Sequence, residues 1–419
     1  MNPVQKTLSL YRNAYSGLSP ATWWLSLILL INRSGTMVIP FMTVYLTQHL
    51  HFTIGQAGIV MACFGSGAIV GASLGGWLSD KIGFYQVQFW SLFSNGLLFI
   101  LLGQMHTFPQ ICMCVFALSS VGDAFRPANS IAIAAYSKPE NRTRSYSLNR
   151  LAVNLGWSVG PAIGGILASF SYDLLFWADG ATCMTAAILM RVFLPPVPAP
   201  AKSHADKSII KDSVWKDKIY IWFLVFAMLS AICLFQFSSI VPLYFKEVLH
   251  MEEWAIGLNM SVNGIMIAVI EMVMIYHLDG RMPNLLFIVR GALVVCMAYV
   301  FLSLMPSFWM VASVFMVIIT FGEMLSLPFM NSFWIGRSRD HNRGQYAALY
   351  TISYSVANIV SPTAGAFVVG HLGFRVWWGL TAGGCILAAA GFFFLQKRLD
   401  LIKKMEFKTA DAAIHHKNC

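Results

Sequence analysis

Long apolar stretches separated by short polar ones run almost the whole length of the chain. Residues 21–31, 89–102, 219–233 and 381–395 belong to such stretches. They are long enough to cross a bilayer, which takes about 20 residues of helix. The pattern predicts twelve spans, over residues 20–46, 54–79, 84–105, 108–136, 145–170, 174–194, 217–245, 254–279, 283–305, 307–337, 344–370 and 374–396. Between the sixth and seventh the pattern lapses: residues 195–216 hold four prolines, several lysines and no long apolar run. Such a composition suits a solvated, flexible connector, with a short amphipathic helix along the membrane as the alternative. The expected organisation is an N-terminal six-helix half (1–194), a cytoplasmic linker (195–216), a C-terminal six-helix half (217–396) and a cytoplasmic tail (397–419).

Composition strengthens this picture. The chain is 57% hydrophobic and 11% charged, with a mean hydropathy of +0.65, whereas soluble domains carry roughly 25% charged residues. Residues 1–19 lack the apolar core and small-residue cleavage site of a secretory signal, so the first span is expected to be retained. Seven of eight cysteines fall in apolar segments, and Cys419 lies in the tail. None has metal-ligand spacing in a polar loop, and they read as packing residues.

A formal net charge of +10 would point to nucleic acid in a soluble protein, but its distribution excludes that. With both termini on one side, nearly all loop lysines and arginines, from Lys6 to Lys417, share that side, and the opposite loops keep only Lys246 and Arg375. The positive-inside rule then places both termini in the cytoplasm of a plasma or inner membrane.

The chain also repeats itself. A shift of 199 residues aligns Tyr45 with Tyr244, His51 with His250, Gly58 with Gly257, Gly65 with Gly264 and Asp80 with Asp279. A shift of 201 aligns Pro127 with Pro328, Arg142 with Arg343, Pro161 with Pro362, Gly164 with Gly365 and Trp177 with Trp378. Two related six-helix halves with a site between them near the midplane are the arrangement a rocking transporter needs.

The loop after the second span reads GGWLSDKIGFYQV, residues 75–87. Its glycines allow a tight turn and close helix approach, while Asp80 can face a helix N-terminus or an arginine. The repeat partner Asp279, in HLDGR, favours a paired gating role over a plain turn cap. Gly76, Leu78, Asp80, Lys81 and Gly83 resemble the loop signature of the major facilitator superfamily, G-x-L-a-D-r-x-G-r-k, although Phe84 and Tyr85 stand where basic residues usually follow. In the fifth span, NLGWSVGPAIGG (154–165) concentrates Gly156, Gly160, Pro161, Gly164 and Gly165. In water these would weaken a helix; in lipid, small residues let helices approach and neighbours re-satisfy carbonyls freed by proline. The segment resembles the signature G-x-x-x-G-P-x-x-G-G of the superfamily's antiporter branches, especially drug:proton antiporters, with Ser147 replacing an earlier glycine of the longer form. Its sister segment, 355–367, keeps Pro362 and Gly365 but has Ser361 where Gly160 stands. The resemblance implies an all-α membrane protein with twelve transmembrane helices in two pseudo-symmetric halves, working by alternating access.

Ionisable groups at membrane depth are costly, about 2.5–3.5 kcal/mol or more, and each is a functional candidate. Arg33 lies seven residues before Pro40, and Asp123 and Arg126 are three apart on the fourth span. Glu271 interrupts the eighth span and Glu323 the tenth; Asp123 and Glu323 each follow a glycine and precede a proline, as approximate repeat mates. Glu271, Glu323 and Asp123 are the candidate proton-coupling carboxyls, since a buried carboxyl can exchange a proton near neutral pH. For Asp123 a structural ion pair with Arg126 or Arg33 is an equal alternative. Arg33 and Arg126 are the candidate cavity cations, with Arg33 as a neutralising partner of Asp123 the competing role. Glu271 has no basic residue within a turn on its own helix, so it is expected to be protonated or paired from another helix. Arg150 and Arg290 are expected to snorkel to the membrane edge, Asp179 to anchor the sixth span at the interface, and His277 to serve as a turn residue.

No phosphate-binding loop, nucleophile elbow or metal cluster stands in the sequence, so neither an enzyme, an ATP-driven pump nor a cofactor is expected. The leading expectation is a monomeric, proton-coupled exporter of amphipathic small molecules. The alternative is a proton-coupled transporter of a specific anionic or zwitterionic metabolite such as a siderophore, sugar or peptide, favoured by the buried arginines. A sensor on a transporter scaffold has no residue in its support.

Overall fold

The computed structural model describes residues 17–138, 142–196, 214–278, 280–305, 308–338 and 343–417. The described residues are almost wholly helical and contain no strand. The helices are α1 (Pro20–His49), α2 (Ile54–Ile82), α3 (Phe84–Leu102), α4 (Phe108–Tyr136), α5 (Arg142–Phe170) and α6 (Asp173–Phe193), then α7 (Lys218–Glu247), α8 (Glu253–Glu271, continuing through Met272–Leu278), α9 (Asn284–Leu304), α10 (Met310–Arg337), α11 (Arg343–Leu372) and α12 (Phe374–Lys417). Eleven are long and apolar enough to cross a membrane; α3, diluted by Gln86, Gln88 and Asn95, completes the twelve-helix bundle. The end of the bundle where α1 begins and α2 finishes is here the proximal end, and that where α1 finishes and α2 begins the distal end.

Local chemistry marks the helix boundaries. Ser19 caps α1 ahead of Pro20, Thr53 and Gln56 form a reciprocal capping box on α2, and Asp217 caps α7; each satisfies amides that an α-helix leaves free. The α2–α3 turn pivots on Gly83 at φ +88°, a conformation that costs glycine nothing and other residues a steric clash. α12 runs past residue 396 to Lys417, because no glycine or proline interrupts 392–417 to stop it.

The repeat is visible in the backbone. His51 (φ +57°) and His250 (φ +50°), paired by the 199-residue shift, are the two described non-glycine residues with positive φ. The halves meet along two pseudo-symmetric crossings, α2 on α11 and α5 on α8. A Cβ built on Gly58 would sit 2.5 Å from the Ala366 Cβ and 3.4 Å from the Pro362 carbonyl oxygen; one built on Gly257 would run into the Pro161 carbonyl oxygen and sit 3.0 Å from the Gly165 Cα. Gly65 meets Ile359 as Gly264 meets Ser158. Each partner is the other's repeat mate, so duplicated glycines make duplicated crossings. In lipid, where helices gain nothing by hiding apolar surface, close backbone approach of this kind supplies the association.

Three apolar clusters set the shape. One, around Phe41, Phe176, Phe245, Phe315 and Trp378, fills the distal end and runs through both halves. At the proximal end the core splits into a cluster of the N-terminal half around Phe84 and Phe125 and a separate one of the C-terminal half around Phe223, Phe287 and Phe392. The bundle is thus joined distally and parted proximally.

Candidate functional site

Helix α1 is broken. Its first segment ends at Ser34 and its second begins at Val38, leaving amides of the second segment without intrahelical partners. Asp179 of α6, fully buried, accepts hydrogen bonds from the Met37 N–H at 3.0 Å and the Val38 N–H at 3.0 Å. Asp179 is therefore an internal helix cap and not an interface anchor: the break in α1 supplies donors that no apolar pattern reveals.

Beside this break a cavity of about 990 Å³ lies between the halves, walled by α1, α2, α3, α4, α7 and α11 with Trp157 of α5 and Cys183 of α6, and extends toward the parted proximal end as far as Ser73, Ser130 and Ala347. Its charged lining lies in the N-terminal half, at Arg33, Asp123 and Arg126, with Asn32, Asn95 and Ser119 beside them, and the C-terminal half adds uncharged polar groups such as Ser238, Thr351 and Asn358. Asp123 pairs with Arg126, Oδ1 to Nε, at 2.6 Å, and Ser119 lies 3.4 Å from its other oxygen. Arg33 does not neutralise Asp123 by contact; its buried Nε has no hydrogen-bond partner among the described residues.

The glycines of 154–165 hold this wall in place. A Cβ on Gly156 would collide with the Arg33 side chain and lie 2.9 Å from its carbonyl carbon; one on Gly160 would sit 3.0 Å from the Thr36 carbonyl oxygen, and one on Gly164 3.0 Å from the Met37 Cβ. Gly165 faces α8, 3.0 Å from Gly257 by the same measure. Pro161 turns its carbonyl toward Gly257. One stripe thus docks α5 on the broken part of α1 and on α8 of the other half.

The C-terminal carboxyls stand behind the cavity. Glu271 ends a π-helical turn, Ile267–Glu271, and is ion-paired with Arg150 of α5 across the halves. Arg150 is thus a bridging cation rather than a group extended to the membrane edge. Glu323 accepts a hydrogen bond from the Asn263 amide at 2.8 Å, and the same amide group reaches Thr320 at 3.1 Å. Glu323 is close enough to Glu271 and Arg150 to interact with both electrostatically. Asp123 and Glu323, similar in sequence context, thus have different partners, a guanidinium and an amide.

The two ends differ in their polar contacts. Distally, Gln48 donates to Glu247 (3.1 Å), Tyr172 to Glu253 (2.9 Å), and the Trp254 N–H to Ser169 (3.2 Å), each across the halves; Lys246 braces Glu253 at 2.8 Å. Proximally, Gly76 faces open space and Lys81 lies 3.9 Å over the Trp77 ring. The Asp80 side chain and Asp279 lie outside the described residues. Within the C-terminal half, Asp217 joins α7 to α10 and α11, taking hydrogen bonds from Arg337 (2.5 and 2.8 Å) and Tyr346 (2.9 Å).

The sequence points to Asp179 and Arg150 but not to the contacts they make, and Asn263 and Asn95 escape it altogether. Among these, Asn263 and Asn95 carry no formal charge, and the signal that would have found them is an amide inside an apolar span.

A broken first helix, two glycine-docked crossings and a cavity open at one end define a membrane transporter of two six-helix halves. The family model of the Major Facilitator Superfamily matches residues 24–362, and the chain belongs to that superfamily: it is a multi-pass membrane transporter of small molecules and not an enzyme. It is 21% identical over 399 residues to a Na(+), Li(+), K(+)/H(+) antiporter of Planococcus maritimus, covering 87% of this chain and 92% of that one. It is 22% identical over 378 residues to the quinolone resistance protein NorA of Staphylococcus aureus, covering 88% and 95%. Among solved structures, a POT family transporter in complex with 5-aminolevulinic acid superposes with a TM-score of 0.78 at 14% identity, over 92% of this chain and 97% of that one.

Proposed function

We propose that the protein exports amphipathic small molecules in exchange for protons, by alternating access. The carrying observation is the Arg150–Glu271 pair, an ionic tie between α5 and α8 beside a cavity parted at one end and sealed at the other. Protonating Glu271 removes its charge, frees Arg150 and weakens the tie, so proton binding and helix arrangement become one equilibrium. Glu323 is the second coupling carboxyl, and Asp123, held by Arg126, the third. The proximal end, which carries the excess of basic residues, is the cytoplasmic one, and the form described here takes up cargo from the cytoplasm. The gating residues of this scheme are Gly76, Asp80, Lys81 and Gly83 with Asp279. The protein works as a monomer in the cytoplasmic membrane.

The name of the Planococcus relative, a cation/H(+) antiporter, supports antiport, and that of the Staphylococcus relative, a quinolone resistance protein, supports an organic cargo. The cavity volume favours an organic cargo over a bare metal cation, because its one carboxylate is already paired with Arg126. The test is substrate-driven proton flux in reconstituted vesicles against a panel of cationic, neutral and anionic amphiphiles, for the wild type and Glu271→Gln. Coupled flux in the wild type and its loss in Glu271→Gln are expected; equal flux in both refutes the coupling role.

A further inference from the structure

The cavity is electrically lopsided. Its described charged lining consists of two guanidiniums, Arg33 and Arg126, and one carboxylate, Asp123. The carboxylate is in contact with Arg126 at 2.6 Å; Asp123 acts on Arg33 only through space, and the three groups together leave the lining one net positive charge. The Arg33 Nε is buried and lacks a hydrogen-bond partner among the described residues, and Asn95 Oδ1 on the same wall is likewise without one. Nε is closed to the cavity as well, so the terminal nitrogens of the guanidinium are the ones an acceptor in the cavity can reach, and pairing a charged donor there offsets the cost of holding it in a partly buried setting. The Arg33 backbone is also held: Gly156 of α5 lies against it so closely that a Cβ there would displace it, and Asp179 fixes the amides just beyond. Met61, Phe64, Phe99 and Phe235 supply an apolar and aromatic part of the lining, while α7 and α11 add uncharged polar groups at Ser238, Ser239, Thr351, Ser355 and Asn358.

We propose that the cavity selects amphipathic organic anions, with a carboxylate or comparable acidic head taken by Arg33 and an apolar body lying on the Met61, Phe64, Phe99 and Phe235 side. A guanidinium presents its N–H groups as a planar fork that matches a carboxylate, and a preformed, partly dry setting strengthens that contact. Permanently cationic amphiphiles meet Arg33 as a like charge and are disfavoured. The inference rests on the transport reading only in taking this cavity as the cargo site.

Equilibrium binding without any proton gradient tests it apart from coupling. The probes are 2-naphthoate, 2-naphthamide and (2-naphthyl)trimethylammonium, equal in their apolar body, titrated calorimetrically into the full chain in nanodiscs. The wild type is expected to bind 2-naphthoate about tenfold or more tightly than the amide, with the quaternary ammonium weakest. Arg33→Gln is expected to level acid and amide, and Arg33→Lys, which keeps the charge, to restore part of the difference. The ranking in the wild type needs no variant to fold. Equal binding of the acid and the amide, or tighter binding of the cation, overturns the proposal, as does an Arg33→Gln protein that keeps the acid preference. Acid-selective binding without coupled proton flux refutes the exchanger reading and leaves this one standing; coupled flux driven by cations alone does the reverse.

Discussion

Replacing Gly257 by alanine adds one methyl group at the tightest point between the halves. The new Cβ has nowhere to go: it meets the Pro161 carbonyl oxygen, the Pro161 carbonyl carbon at 3.0 Å and the Gly165 Cα at 3.0 Å, all of them backbone. No rotamer change relieves a clash with backbone, so α5 and α8 must part. Overpacking of this kind costs about 1–3 kcal/mol, against which alanine returns about 1 kcal/mol of helix propensity over glycine. The expected net loss is about 1–2 kcal/mol of unfolding free energy. Gly58→Ala, at the pseudo-symmetric crossing, meets the Ala366 Cβ at 2.5 Å but nothing else within 3.4 Å, and should cost less. Gly336→Ala, on α10 with no atom within 4 Å of the new carbon, serves as the control and should be neutral or slightly stabilising. Unfolding free energies measured in bicelles give the order directly. A Gly257→Ala protein as stable as the wild type, or a Gly336→Ala protein as weakened as Gly257→Ala, would refute the claim that these glycines act through interhelix distance.

Asp179→Ala should destabilise by about 1–3 kcal/mol, because the Met37 and Val38 amides lose their acceptor inside the bundle; accelerated hydrogen exchange confined to those two amides is the local readout. A double-mutant cycle of Arg150→Gln and Glu271→Gln should return a coupling energy of about 1–3 kcal/mol at neutral pH, and a value near zero would show that the pair does not tie the halves. At Asp217, just outside the membrane-spanning part of α7, burial works to raise the carboxyl, but hydrogen bonds from Arg337, the Tyr220 N–H and Tyr346 outweigh it and hold it below its ordinary value. A pKa lowered by folding contributes stability that is present above the unfolded value, about 4, and is lost as pH falls through the folded value. Wild-type stability should therefore decline on acidification below about pH 4 more steeply than that of Asp217→Asn, measured as unfolding free energy against pH.

The twelve helices, the two halves and the excess of basic residues at one end are all legible in the sequence, because a bilayer imposes them one segment at a time. A span must be apolar over its own length and must satisfy its own backbone, so hydropathy alone finds it. The repeat likewise needs only a comparison of the chain with itself, and it correctly pairs Gly58 with Gly257 and His51 with His250. The glycines of 154–165 announce a close helix approach, but which helix they approach is invisible until α5 is seen against Arg33 on one side and Gly257 on the other.

Charge partners on different helices belong to the tertiary structure. Whether a membrane-depth charge is paired depends on a few ångströms between helices that may be far apart in sequence. Asp123 and Arg126, one turn apart, announce their pairing in the sequence, whereas Arg150 and Glu271 stand on different halves and do not. Asp179 reads as an interfacial acid until the break in α1 brings it two backbone amides. Arg33 reads as a neutralising cation until its nearest candidate partner is found committed elsewhere. The sequence by itself determined that charges are buried and on which helices; only the packing decided which of them find a partner within the protein, because that choice is made by distance and orientation between elements, and hydropathy encodes neither.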